Sequence, residues 1–107
     1  LDYDREIAFV GLDEAGALCG IARLSADPNH ESAEFGLLVR SDRQGQGLGW
    51  TLMNHLIDYA RADGLSRIEG IMFDENDKMI DLARDLGFVI GDHPDDATLE
   101  LAVLTLK

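Results

Sequence analysis

The sequence predicts a single α/β domain of 107 residues, built on a mixed, mainly antiparallel sheet. Three observations lead to that class. Short runs rich in Ile, Val, Phe and Leu recur along the chain between turn residues and read as strands. Two segments, 48–63 and 76–86, instead repeat apolar residues at three- and four-residue spacing, the period of an amphipathic helix. The resulting order is βββαβαββ. Strand–helix–strand crossovers demand parallel neighbours, whereas hairpins demand antiparallel ones.

Each element has its own reason. Residues 6–12 alternate loosely and contain Ile7, Phe9 and Val10. A turn with Gly11, Asp13 and Gly16 joins them to a second strand over 18–24, giving a hairpin. Residues 25–32, with Asp27-Pro28-Asn29, read as a polar loop. A third strand is expected over 33–40. The first helix carries Leu48, Leu52, Leu56, Ile57 and Ala60 and stops at Gly64. A fourth strand follows over 67–73. Met79, Ile80, Leu82, Ala83 and Leu86 mark the second helix, which Gly87 ends. Strands over 88–90 and 99–106 complete the chain.

The junction of the third strand and first helix carries the most chemistry. It reads Val39-Arg40-Ser41-Asp42-Arg43-Gln44-Gly45-Gln46-Gly47-Leu48-Gly49. Glycines at alternate positions let backbone N–H groups approach a ligand. The following helix start adds N–H groups without intrahelical partners and the positive end of the dipole. A strand, a bare turn and a helix N-terminus together form a phosphate site. It is not a dinucleotide fingerprint, since Trp50 stands where the third glycine belongs. It is not a P-loop, since no Gly-Lys-Ser/Thr is present.

Gln44-x-x-Gly47-x-Gly49 resembles the Gln/Arg-x-x-Gly-x-Gly/Ala pyrophosphate loop of the GNAT superfamily of acetyl-CoA-dependent N-acyltransferases. Asn76, followed by a helix closed by Gly87-Phe88, is similar to the second motif of that superfamily. The likeness runs from about Phe9 to Leu106. The wording of Asp2-Tyr3-Asp4-Arg5-Glu6 and Ala33-Glu34-Phe35 resembles GNAT domains fused to NDP-forming acyl-CoA synthetase-like proteins, some of them protein-lysine acetyltransferases. This resemblance implies a GNAT fold lacking its N-terminal strand and two helices. Acceptor specificity is then not encoded in residues 1–107. Because the sequence opens on Leu1, we expect a piece of a larger chain.

The resemblance also implies a site. Backbone amides of Leu38 and Val39 would hold the pantetheine arm of acetyl-CoA. Arg43, Gln44, Gly45, Gln46, Gly47, Leu48 and Gly49 would hold its pyrophosphate, and Asn76 would add a side-chain contact. Asn76 also fits a plain helix N-cap, and Arg43 fits a solvated loop arginine equally well. Trp50 reads as packing rather than as a stacking partner.

Acyl transfer from a thioester to an amine needs a base for the amine, a hydrogen-bond donor for the tetrahedral intermediate and an exit for the thiolate. Glu34 is the candidate base, by resemblance to lysine acetyltransferases with a glutamate in this context. The other reading is a strand-edge carboxylate paired with an arginine. Glu69, Asp74 and Glu75 stand in reserve. Many relatives carry a tyrosine four residues before the closing glycine as acid for the thiolate, and here that position is Ala83. Tyr3 and Tyr59 do not fit that position, and Tyr59 reads as core packing. A thiol pKa near 8.5 lets the thiolate leave without a dedicated acid.

Composition narrows the partners. The net charge of −12, with 21 acidic residues against nine Lys and Arg, reads first as solubility; it also repels nucleic acid and anionic membranes and favours cationic amines or lysine-bearing proteins. No apolar run is long enough to cross a membrane as a helix. Cys19 is alone and reads as a small buried hydrophobe, which fits a cytoplasmic setting. His30, His55 and His93 lack metal-ligand spacing, so no metal site is expected. Two functions follow as expectations. One is an acetyl-CoA-dependent N-acetyltransferase acting on an amine, expected to be a protein lysine, with a polyamine or small amine as a variant. The other is a non-catalytic acyl-CoA-binding regulatory module of a synthetase-like protein. Exposed apolar surface is expected to promote a homo-oligomer.

Overall fold

The structure, a computed structural model, describes residues 5–107; Asp2, Tyr3 and Asp4 of the sequence comparison lie outside the described residues. Its elements are β1 (Arg5–Leu12), β2 (Leu18–Ala26), β3 (Ser32–Val39), α1 (Leu48–Ala62), β4 (Arg67–Phe73), α2 (Asp77–Asp85), β5 (Val89–Asp92) and β6 (Leu99–Thr105). They form one six-stranded sheet in the order β1-β2-β3-β4-β6-β5. Among the described residues only β3 and β4 pair in parallel; every other neighbouring pair is antiparallel.

The β1–β2 hairpin is fixed by Asp13, whose Oδ1 accepts the N–H groups of Ala15 and Ala17, each at 2.9 Å. The β2 strand runs two residues further than its sequence pattern suggests. Ser25 is polar but buried, and its hydroxyl donates to Glu6 on β1 at 3.3 Å. The expected polar loop is thereby reduced to a turn. Asp27 organises it by accepting from Glu31 N–H and the Ser32 hydroxyl, both at 3.0 Å. A 3₁₀ turn at Ser41–Arg43, absent from the sequence reading, leads from β3 toward α1.

The second crossover departs from expectation. A β4–α2–β5 unit suggests parallel neighbours, yet β6 lies between β4 and β5 and pairs antiparallel with both. The apolar β6 segment takes the inner position, and the four-residue β5 is left at the edge, where its unpaired side is short.

Both helices pack on one face of the sheet. Leu48 of α1 lies over Gly11 and Gly20, where added Cβ atoms would stand 2.8 and 3.1 Å from its methyl carbons. Met53, Leu56, Ala60, Ile68, Ala83 and Ala102 are fully buried between helices and sheet. Cys19 is buried as expected, with Sγ 3.6 Å from the Ala17 carbonyl. Tyr59 packs edge-on against Phe9, as its sequence setting suggests. The opposite face of the sheet is open. Val10, Leu38, Ile71, Phe73 and Val89, which the strand registers place there, are each more than half exposed.

The parallel pair determines where a ligand can enter. β3 and β4 are in register only at Ser32–Arg67, Ala33–Ile68 and Glu34–Glu69, although the strands continue to Val39 and Phe73. Beyond Glu34 they part. A Cβ on Gly70 would collide with the ring of Phe35, so the ring fills the space of the absent side chain. Phe35 is also held against Phe88, with ring centroids 5.1 Å apart.

Candidate active site

The opening between β3 and β4 leads to two cavities. The larger, of about 600 Å³, lies where β3 passes into α1 and is walled on the far side by α2. The smaller, of about 230 Å³, sits between the parted strands. Leu37, Asn76 and Met79 line both. The smaller space is mainly apolar, with Phe35, Ile71, Met72 and Phe73 on its walls.

At the larger cavity the three glycines have different tasks. Gly45 and Gly47 take positive φ angles of 80° and 82°, and an added Cβ would meet nothing within 4 Å. These two make the bare turn. Gly49 instead lies inside α1, with Leu37 and Leu82 each 3.3 Å from where its Cβ would be. Its smallness allows β3, α1 and α2 to meet, which corrects the expectation that all three glycines clear one side of the turn.

The two helix starts also differ. Asn76 caps α2, accepting the Met79 N–H through Oδ1 at 3.3 Å. Gly47 caps α1 without any side-chain acceptor, so the first-turn N–H groups of Leu48, Gly49 and Trp50 retain their donor capacity. The α1 N-terminus therefore suits an anion in the larger cavity. That cavity is also lined by Arg43 and by Lys78. Lys78 had no motif to point to it; its only sequence signal was its place two residues after Asn76.

The arginines beside the turn are held by acids. Arg43 Nη2 stands 3.8 Å from Asp13 and 3.9 Å from Glu14. Arg40 pairs with Asp42 at 2.6 Å, approaches Asp13 at 3.6 Å and donates to the Leu18 carbonyl at 3.3 Å. The Ala17 N–H bond, aided by that of Ala15 and by both arginines, holds the Asp13 carboxyl below the ordinary carboxylate range. Gln44 donates through Nε2 to the Val39 carbonyl at 3.2 Å, and Gln46 is exposed in the turn.

Strand parity corrects one expected contact. The Arg40 N–H bonds to the Cys19 carbonyl on β2 at 2.7 Å, and Leu38 lies opposite Ile21 on the same strand. Amides alternate along a strand, so the Leu38 N–H turns toward β2, while those of Leu37 and Val39 turn toward the opening. Leu38 still lines the larger cavity, and Leu37, which the sequence did not single out, turns its amide toward the opening. Trp50, expected to be packing, is 46 % exposed and lines the larger cavity.

Glu34 is the last β3 residue paired with β4 before the opening, and it lies beside Phe35 at the vertex. It is exposed and stands in register with Ser25 on β2 and Glu69 on β4. Glu69 is engaged by Arg67 at 2.7 Å. Asp74 and Glu75 are exposed in the β4–α2 turn. Ala83 is fully buried, and the linings of the two cavities do not include it. Among the described residues, no group of three or more His, Cys, Asp or Glu could hold a metal ion, and no helix is long and apolar enough to cross a membrane.

Comparison with known proteins agrees with this architecture. The profile of the Acetyltransferase (GNAT) family matches residues 1–88. An acetyltransferase of Pseudomonas aeruginosa is 38 % identical over 99 % of this chain and 59 % of its own length. The spermidine N(1)-acetyltransferase of Vibrio cholerae is 33 % identical over 82 % of this chain and 52 % of its own. The chain thus spans somewhat more than half the length of these curated relatives. The yncA protein of Salmonella typhimurium, solved with its cofactor acetyl-CoA, superposes with a TM-score of 0.77 at 28 % identity, covering 94 % of this chain and 64 % of that one. The GNAT domain of S. lividans PAT, at 21 % identity and TM-score 0.84, covers 94 % and 61 % and shares the fold.

Proposed function

The chain belongs to the GNAT family of acetyltransferases, and from that premise we propose that it binds acetyl-CoA across the two cavities and transfers the acetyl group to an amine. One observation carries this reading: an uncapped helix start at the Gly45–Gly47 turn opens into a cavity that adjoins the gap between β3 and β4, sharing Leu37, Asn76 and Met79 with it. The residues suit the cosubstrate. The first-turn N–H groups of α1, with Arg43 and Lys78, meet the pyrophosphate. The Leu37 and Val39 amides meet the pantetheine arm, and Asn76, its Oδ1 engaged as a cap, offers its Nδ2 donor. Bound acetyl-CoA supplies an activated acyl thioester.

Glu34, at the vertex, is the base that takes a proton from the amine, directly or through a water. No tyrosine replaces the buried Ala83, and a thiolate is a competent leaving group at neutral pH. A small cationic amine is the preferred acceptor. The net charge of −12 draws cations, and a curated relative 33 % identical to this chain is named for spermidine. A protein lysine is the second acceptor class, suggested by the wording around Ala33-Glu34-Phe35; fusion to a synthetase-like partner and a cytoplasmic setting belong with it. The open apolar sheet face supports self-association.

Calorimetric titration with acetyl-CoA, followed by assays on spermidine, amino acids and a lysine peptide with the full-length protein, tests the reading. Binding with turnover on an amine supports it. Binding without turnover on any amine favours the regulatory-module alternative, and no binding overturns both.

A further inference from the structure

We infer that Phe35 limits the length of the acyl group, and that this chain selects short acyl-CoA thioesters; the inference rests on the acyl-CoA reading above. β3–β4 pairing ends at Glu34–Glu69, so Phe35 and Gly70 are the first residues past the vertex of the opening. The wide end lies at Val39, next to the phosphate-binding turn. From Val39 to Phe35 the strand covers about 13 Å. A ligand anchored by its phosphates at the turn and running along β3 presents its far end to Phe35. That end is the acyl group.

The wall at this point is tightly packed. The ring occupies the space over Gly70, which only an absent side chain leaves free, and it is braced by Phe88, itself buried. The chamber in front of it is about 230 Å³ and mainly apolar, and on the acyl-CoA reading the thioester end of the arm would share it. Tightly packed rings yield little to an extra methylene. Glu34 flanks the same vertex, so the wall that limits chain length also sets where the acyl carbon stops relative to the base. In the transfer, the amine nitrogen bonds to that carbon, the carbon–sulfur bond breaks, the thiolate keeps the electron pair, and the amine proton passes to the base. A chain too long for the chamber holds the carbon away from that position.

The test is a calorimetric series on the full-length protein with coenzyme A, acetyl-CoA, propionyl-CoA, butyryl-CoA and hexanoyl-CoA. Each affinity is read as a ratio to that of coenzyme A, which has no acyl group. In the wild type, acetyl should equal or exceed coenzyme A, and hexanoyl should fall at least about 10-fold below acetyl, the scale of discrimination by methylene groups in an apolar pocket. Phe35→Ala and the more conservative Phe35→Leu should remove most of that difference. Phe35→Leu keeps the test decisive if Phe35→Ala does not fold. An unchanged hexanoyl-to-acetyl ratio in a folded variant, or a wild type that binds both equally, overturns the inference while leaving acyl-CoA binding intact. Absence of binding by any acyl-CoA overturns the underlying reading and this inference with it.

Discussion

The Asp13 carboxylate faces Arg43 beside the larger cavity, with Oδ2 3.8 Å from Nη2. Asp13 also approaches Arg40 at 3.6 Å and holds the β1–β2 turn through two backbone bonds. One acid on the hairpin therefore moderates both cations beside the glycine turn. An incoming phosphate competes with it for Arg43.

Asp13→Asn keeps an oxygen for the Ala15 and Ala17 N–H groups and removes the charge. Surface ion pairs contribute about 0.2–1 kcal/mol, and this one is half-buried, so acetyl-CoA should bind at least roughly 2- to 5-fold more tightly at low ionic strength. The gain should fade in about 1 M salt, where the Debye length shrinks to about 3 Å. Titrations at two salt concentrations check this. Equal affinities for variant and wild type at low salt would remove Arg43 from the phosphate path.

A second expectation concerns acid stability. The carboxyls of Asp13, Asp27, Asp42 and Asp96 all lie below their ordinary range. Backbone N–H bonds are the main cause at Asp13 and Asp27, Arg40 at Asp42 and the Thr98 hydroxyl at Asp96. A carboxyl depressed on folding stabilises the fold above its unfolded pKa, about 3.9, and that contribution is lost as pH falls through the folded value. Asp27→Asn should accordingly lower the melting temperature at pH 7, and the two melting curves should draw together as pH falls below about 3.9 toward the folded value. A gap that stays constant as pH falls below about 3.9 would mean that the turn depends on Asp27 for shape rather than for charge.

The third prediction separates backbone conformation from ligand approach. Gly47 sits at φ 82°, so Gly47→Leu imposes about 1–2 kcal/mol of left-handed strain. That corresponds to a melting temperature lower by roughly 5–15 °C for a domain of this size. The same side chain would cover the α1 N-terminus and should weaken acetyl-CoA binding at least about 10-fold, measured by calorimetry or by the emission of Trp50, the single tryptophan. A folded Gly47→Leu protein with wild-type affinity would move the phosphate site elsewhere.

What was legible in the sequence was local. The helices declared themselves through Leu52, Leu56, Ile57 and Ala60 in one case and Ile80 and Ala83 in the other, and these residues are buried. The glycine turn was legible because positive φ restricts residue type at Gly45 and Gly47. Ser25 was misread because its burial depends on Glu6 across the hairpin, a partner that periodicity along one strand does not reveal. The insertion of β6 between β4 and β5, and the parting of β3 from β4 at Phe35 and Gly70, are contacts between distant segments. Leu37 was missed for a related reason: which amide faces the opening depends on the register with β2.

The last prediction concerns Glu34. It stands at the vertex between Ser25 and Glu69, beside the wall that Phe35 provides. If it removes the amine proton, Glu34→Gln should leave acetyl-CoA affinity nearly unchanged, because the proposed phosphate and pantetheine contacts lie at Leu37, Val39 and residues 43–49. Turnover by the full-length protein should fall by roughly 10²–10⁴-fold, the usual contribution of a positioned base. The deficit should narrow as pH rises, because the amine then loses its proton without help. A strand-edge carboxylate that only pairs with an arginine would behave differently, with a small change in melting temperature and almost none in rate. Rates for both proteins across pH 6 to 9, each with its acetyl-CoA affinity, separate these cases. A variant within about twofold of wild type throughout would remove Glu34 from the chemistry. The base would then have to be Glu69, which Arg67 already engages, or Asp74 or Glu75 in the exposed turn.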